Sequence, residues 1–178
     1  MTTKYCGFLR GINVGNIRIN MDDLKQLLEK EGFTGVKTFL QTGNVSFKSE
    51  KTAPELKEIL EKKLSTRFEY EAYIQILPFT QLNEIISSYP FIKNESEHCY
   101  IVFTQKKSTI AELLEAFQNT ENPSEQVTKS IDNERIIYWQ TSKGHSTNSA
   151  FAKILLQKKF KSTTTVRNIN TLQKMVQY

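Results

Sequence analysis

An order of strand-like and helix-like segments that occurs twice limits this chain more than any other feature. In the first half, Lys4–Arg10 is apolar and aromatic and reads as a strand. A Gly- and Asn-rich loop, Gly11–Asn20, follows. Met21, Leu24, Leu27 and Leu28 then fall at helical spacing, and Gly32 ends the run. Val36–Leu40 and Val45–Lys48 are short strands around the turn signal Thr42-Gly43-Asn44. Leu56, Ile59, Leu60 and Leu64 line a helix that ends near Thr66. Ala72–Leu77 is a strand, and a short helix with Leu82, Ile85 and Ile86 comes after Pro78.

The second half repeats the order. Cys99–Phe103 is a strand, and Ile110, Leu113, Leu114 and Phe117 mark a helix. Gln126–Ile131 and Arg135–Gln140 are strands around Asp132-Asn133-Glu134. Ala150, Ile154, Leu155 and Leu156 mark a helix, Thr163–Val166 a strand, and Leu172, Met175 and Val176 a last helix. Cys6 falls opposite Cys99 at an offset of 93, and Leu64 and Phe68 fall opposite Leu156 and Phe160 at 92. A near-constant offset argues for internal duplication. The βαββαβ order is that of the ferredoxin-like unit. The expected fold is α+β, with two tandem ferredoxin-like subdomains, 1–92 and 93–178, and additional helices. Helices cover one face of each sheet. The other face needs cover from the sister half or from a second copy, so a homodimer is one expected assembly.

Composition narrows the setting. The chain is 38% hydrophobic and 24% charged, as globular proteins are. No apolar run approaches the roughly 20 residues of a membrane span, so no membrane partner is expected. Met1-Thr2-Thr3-Lys4 lacks a signal-peptide pattern, which places the expected location in the cytoplasm. Two cysteines, Cys6 and Cys99, are no disulfide framework and read as buried thiols. With two widely separated His they also give no zinc spacing. No cofactor or metal is expected.

Charge is uneven. Residues 1–90 hold 12 basic and 11 acidic side chains, and residues 91–178 hold 12 and 8. Glu134 is the last acid, and eight Lys or Arg follow it. A one-sign stretch of this length attracts anions.

Topology brings two loop pairs together. After the first strand, Arg10, Gly11, Asn13 and Gly15 form a long polar connection beside the hairpin Gln41, Gly43 and Asn44. A Gly-rich loop before a helix can cradle phosphate. Here Asn20 is placed to cap that helix, and Asp22 and Asp23 occupy its first turn, which disfavours an anion. The loop reads as a structural motif.

In the second half the opposite end of the sheet differs. The loop after the third strand carries Lys143, His145, Ser146 and Asn148. The segment after the fourth carries Arg167, Asn168 and Asn170. Each leads into a helix with no acid in its first turn, so these residues are expected to converge on two uncompensated helix ends as an anion site. Arginine suits it, because its planar fork grips phosphate or carboxylate in two places.

Three motifs also resemble a known family. Leu9-Arg10-Gly11-Ile12-Asn13-Val14-Gly15, Phe39-Leu40-Gln41-Thr42-Gly43-Asn44-Val45-Ser46-Phe47 and Thr165-Val166-Arg167-Asn168-Ile169-Asn170-Thr171, with Met21, are similar to a bacterial family of uncharacterised proteins, domain of unknown function sixteen-ninety-seven. The chain departs at Asn16, Thr42 and Ile169, where that pattern has Gly, Ser and Trp. The resemblance implies a double ferredoxin-like fold and no established activity, substrate or catalytic residue.

Three functions fit these observations. The first is a non-catalytic binder of an anionic ligand, either nucleic acid or a phosphorylated small molecule. The second is an enzyme on a small anionic metabolite, with Arg167 as clamp and His145 as acid or base. The third is a structural or protein-interaction module. The catalytic residues, if any, are not identifiable from the sequence.

Overall fold

The computed structural model describes residues 1–13, 16–121 and 124–177. Among these residues the chain is mixed α+β, with two four-stranded antiparallel sheets and seven helices. Two compact units divide it, Met1–Leu82 and Asn83–Tyr178.

The first unit is built from β1 (Thr3–Arg10), α1 (Met21–Lys30), β2 (Thr34–Phe39), β3 (Asn44–Ser49), α2 (Ala53–Phe68) and β4 (Tyr73–Pro78). Its sheet order is β2-β3-β1-β4. Alternation along β1 sends Tyr5 and Leu9 into a core with Val45, Phe47, Ile74 and Ile76, closed by Met21, Leu24 and Leu28 of α1 and Leu56, Leu60 and Leu64 of α2. Gly7 lies on that face because nothing larger fits. A Cβ there would stand 2.9 Å from Ile74 and 3.0 Å from Val45.

Local signals explain the helix starts. The Asn20 side chain accepts from the Asp22 N–H at 2.8 Å, and Asp22 and Asp23 sit in the first turn of α1. Glu55 accepts from both the N–H (2.7 Å) and the hydroxyl (2.6 Å) of Thr52, just ahead of α2.

Helix α3 (Phe79–Ser87) begins directly after β4 and runs across the division between the units. Residues 83–92 pack with the second unit: the Tyr138 hydroxyl donates to Ile85 O at 2.9 Å, Tyr89 to Trp139 O at 3.0 Å, and the Gln140 amide to Ile92 O at 2.8 Å.

The second unit continues with β5 (Glu97–Thr104), α4 (Lys107–Gln118), β6 (Gln126–Lys129), β7 (Ile136–Ser142), α5 (Ala150–Leu156), α6 (Lys158–Lys161), β8 (Thr164–Asn168) and α7 (Ile169–Val176). Its sheet order, β6-β7-β5-β8, repeats that of the first. Val102, Ile137 and Trp139 meet Leu113 of α4 and Phe151 and Leu155 of α5 in its core.

Three local expectations change. The strand expected to end at Val166 runs on to Asn168, because Arg167 and Asn168 pair with Ile101 and Tyr100 of β5. Asn168 then caps α7 through its own side chain, which accepts from Asn170 N–H at 2.9 Å, so no loop separates strand from helix. Leu156, one of the apolar residues that mark the helix, is 62% exposed, because α5 ends there and the extended Gln157 separates it from α6. Cys6 and Cys99 are buried and free, and burial pushes the Cys6 thiol well above its ordinary range.

Candidate functional site

In the first unit the two motif loops meet. The Asn13 amide donates to Gln41 O at 2.6 Å, and its oxygen accepts from Ile19 N–H at 3.1 Å. Gly43 O accepts from Leu9 N–H at 2.8 Å. Asn44 is fully buried, and its amide donates to Phe39 O and to the Thr42 hydroxyl. Gly11, Asn13, Leu40 and Gly43 all hold positive φ, between +54° and +71°. Gly43 requires it twice over, since a Cβ would also sit 2.5 Å from the Ile12 side chain and 2.8 Å from that of Leu9.

Arg10 ends β1 half-buried, its guanidinium 5.8 Å from the Tyr73 ring centroid. Burial lowers its pKa from the ordinary value. Gly15 lies outside the described residues. The polar groups of these loops thus largely serve each other, while Gln41 and Leu40 stay exposed.

In the second unit the predicted residues share one end of the sheet, at two different levels. Lys143 N–H donates to Ser96 O, whereas Asn168 pairs with Tyr100. Four residues along β5 separate those levels by about 13 Å, and β7 and β8 flank β5 at about 10 Å from each other. The faces differ too. Asn168 shares a face with Tyr100, which stacks on Trp139 at 4.7 Å on the side packed against α4 and α5. Arg167 pairs with Ile101, which also pairs with Tyr138, on the other face. Arg167 is half-buried, donates to Val166 O at 2.8 Å, and has its pKa lowered by burial to about 10. Lys143, His145, Asn148 and Asn170 are exposed, and Ser146 is half-buried. The structure therefore gathers Lys143, His145, Ser146 and Asn148 on one turn, with Gly144 at φ +85° and His145 O accepting from the N–H groups of Asn148 and Ser149. It sets Arg167 apart from them.

One residue escapes a reading of the sequence. Glu125 is 6% exposed, and its carboxylate accepts from the Trp139 indole N–H at 3.0 Å and from Phe151 N–H at 3.1 Å. The start of α5, read as uncompensated, is thus supplied with a carboxylate from before β6, and Ser149 caps Ala152 N–H as well. Its partners lie 14 and 26 residues away in the chain. The only signal was an acid placed just ahead of a strand.

Among the described residues no group of three or more His, Cys, Asp or Glu could hold a metal ion, and no helix is long and apolar enough to cross a membrane.

A family model described as protein of unknown function (DUF1697) matches residues 1–134. No curated protein matches the chain. Among solved structures, the conserved bacterial protein SP0830 from Streptococcus pneumoniae is similar at a TM-score of 0.81 and 23% identity, over 99% of this chain and 98% of that one. It supports the fold alone. A mutant chlorite dismutase from Candidatus Nitrospira defluvii aligns at a TM-score of 0.29 and 10% identity, over 99% and 94% of the two chains. That similarity is too low to carry an argument.

Proposed function

We propose that this chain, which belongs to the DUF1697 family of proteins of unknown function, is a non-catalytic binder of an anionic ligand, with its binding surface on the second half. We read the two halves as tandem ferredoxin-like subdomains. The support is the identical strand order of the two sheets, with every neighbouring pair antiparallel.

One observation carries the functional reading. After Glu134 the chain has eight cations and no acid. Among the described residues, Lys143, Lys153, Lys158, Lys161 and Lys174 form no ion pair. Their field is therefore left for an outside anion. In the loop, Lys143, Ser146 and Asn148 offer contacts, and Asn170 offers another at α7. Their spacing favours an extended anion such as nucleic acid over a small phosphorylated metabolite. His145 has no carboxylate within its own turn to orient it, which supports a binding role over acid–base catalysis.

Isothermal titration with inorganic phosphate, a nucleotide and a short RNA tests the reading. RNA should bind most tightly, with an affinity that falls with salt as counterions are released. Lys143→Gln should weaken it, and Arg10→Ala should not. Absence of binding to all three ligands refutes the proposal. Leu40, 56% exposed with φ +57°, favours a second reading as an interaction module, in which the motif end of the first half docks a protein partner.

A further inference from the structure

We infer that the principal nucleic-acid contact lies at the other end of the second unit, on a band formed by Lys106, Lys107, Arg135, Lys158, Lys159 and Lys161. The inference rests on the anion-binding reading and places it on a surface away from the Lys143 loop.

Backbone bonds fix the band. Thr104 N–H donates to Arg135 O at 2.9 Å, and Gln105 N–H donates to Thr163 O at 2.9 Å. The start of β7, the end of β5 and the start of β8 therefore lie side by side. The connections at their ends are the β6–β7 hairpin, the entry to α4, and α6. All six cations are exposed.

Among the described residues, three carboxylates share this end. Glu134 pairs with Lys107, and Glu112 pairs with Lys159 at 3.8 Å. Asp132 is the third. Among the described residues Lys106, Arg135, Lys158 and Lys161 form no ion pair, so the band keeps an excess of positive charge. The start of α4 adds to it, with no side-chain cap at Lys106 and no acid in its first turn.

The layout selects the partner. The cations sit on three separate connections that span β7, β5 and β8, about 10 Å across. A single phosphate cannot engage them together, but a phosphodiester strand can. An anionic membrane is the rival partner. The two exposed apolar residues at this end, Ile131 and Leu156, lie on different connections, and Asp132 follows Ile131. They make no contiguous apolar face of the kind an interfacial anchor needs. Among the described residues no exposed aromatic side chain stands among the six cations, so contact is to the backbone and not to the bases.

The test uses the full chain and fluorescence anisotropy with a labelled single-stranded RNA and a DNA of the same sequence. Four unpaired cations predict a slope of log affinity against log salt of about −3, a loss of about fifty-fold between about 50 and about 200 mM salt. The triple variant Lys106→Gln, Lys158→Gln, Lys161→Gln should reduce the slope to about −1 for both strands. Its unfolding midpoint should match the parent, because all three side chains are exposed. If the parent binds neither strand, this inference falls, and the anion-binding reading falls with it only when phosphate and nucleotide also fail to bind. If the parent binds, the triple variant binds equally well and Lys143→Gln alone abolishes binding, the reading stands and the inference is overturned. Binding to phosphatidylserine-containing vesicles with none to either strand overturns it as well.

Discussion

Glu125→Ala should destabilise the second unit selectively. The residue is 6% exposed, and its carboxylate accepts hydrogen bonds from Trp139 Nε1 and Phe151 N. Removing it leaves two donors in a core that also holds Phe151 and Trp139. An unsatisfied buried donor costs about 1–3 kcal/mol. The α5 start also loses a favourable charge worth about 0.5 kcal/mol. With both donors near the low end of that range, about 3 kcal/mol is the expected total. The chain has one tryptophan, and it is Trp139 itself, so its fluorescence reports the second unit. With a urea dependence of about 1.5 kcal/mol/M, the Trp-detected midpoint should fall by about 2 M. Glu125→Gln keeps an acceptor and should cost less. Glu121→Ala, at an exposed site a few residues away, should change stability by under about 0.5 kcal/mol. A Glu125→Ala midpoint within about 0.3 M of the parent would refute the argument, since the two donors would then have found other partners at no cost.

Other outcomes follow from the local geometry. Gly43→Ala combines a positive φ with Cβ contacts of 2.5 and 2.8 Å and should cost about 2–4 kcal/mol, whereas Gly11→Ala, with φ +71° and open space, should cost about 1 kcal/mol; urea titration of the two variants compares them. Leu40→Asn should be neutral or stabilising by up to about 1 kcal/mol in the same assay, because Asn tolerates the left-handed conformation that Leu40 holds at φ +57°. Hydrogen bonds from the Thr52 hydroxyl and N–H hold the Glu55 carboxyl below its ordinary pKa. With a lowered folded pKa, its contribution is present above the unfolded value and is lost as pH falls through the folded one. An NMR titration should show Glu55 titrating below the ordinary Glu range, and Thr52→Ala should raise it. Cys6 and Cys99, both buried, should resist an aromatic disulfide reagent in the native protein and react once urea unfolds it.

The element order was legible because each half alternates clear periods: Leu24 and Leu28 at helical spacing, then Val45 and Phe47 at strand spacing on one face. The meeting of the two motif loops was legible for the same reason, since strand directions alone put Asn13 near Gln41. The chemistry of the α5 start was not. It depends on Glu125, which is distant in sequence and becomes relevant only when β6 is laid beside β7. Arg167 was misplaced because the Asn-rich stretch after Val166 suggests a turn, while pairing with β5 holds it as strand. The band around Lys106 and α6 was hidden in the same way. Its lysines lie some fifty residues apart in the chain and are brought together by the pairing of β5 with β8 and the Gln105–Thr163 bond.

The double duty of Asn168, last residue of β8 and cap of α7, bears on where this architecture can vary in length. Ten residues, 11–20, separate β1 from α1, so a residue gained or lost there changes a loop. At the β8–α7 joint no residue is spare. An insertion would either break the pairing of Asn168 with Tyr100 or detach the cap from Asn170 N–H. Strand register therefore sets the phase of the helix: a slip of one residue would turn Ile169, Leu172 and Met175, all buried, out of the interior together. The joint acts as a rigid coupling, and the last helix and the sheet edge should rise and fall in stability as one piece.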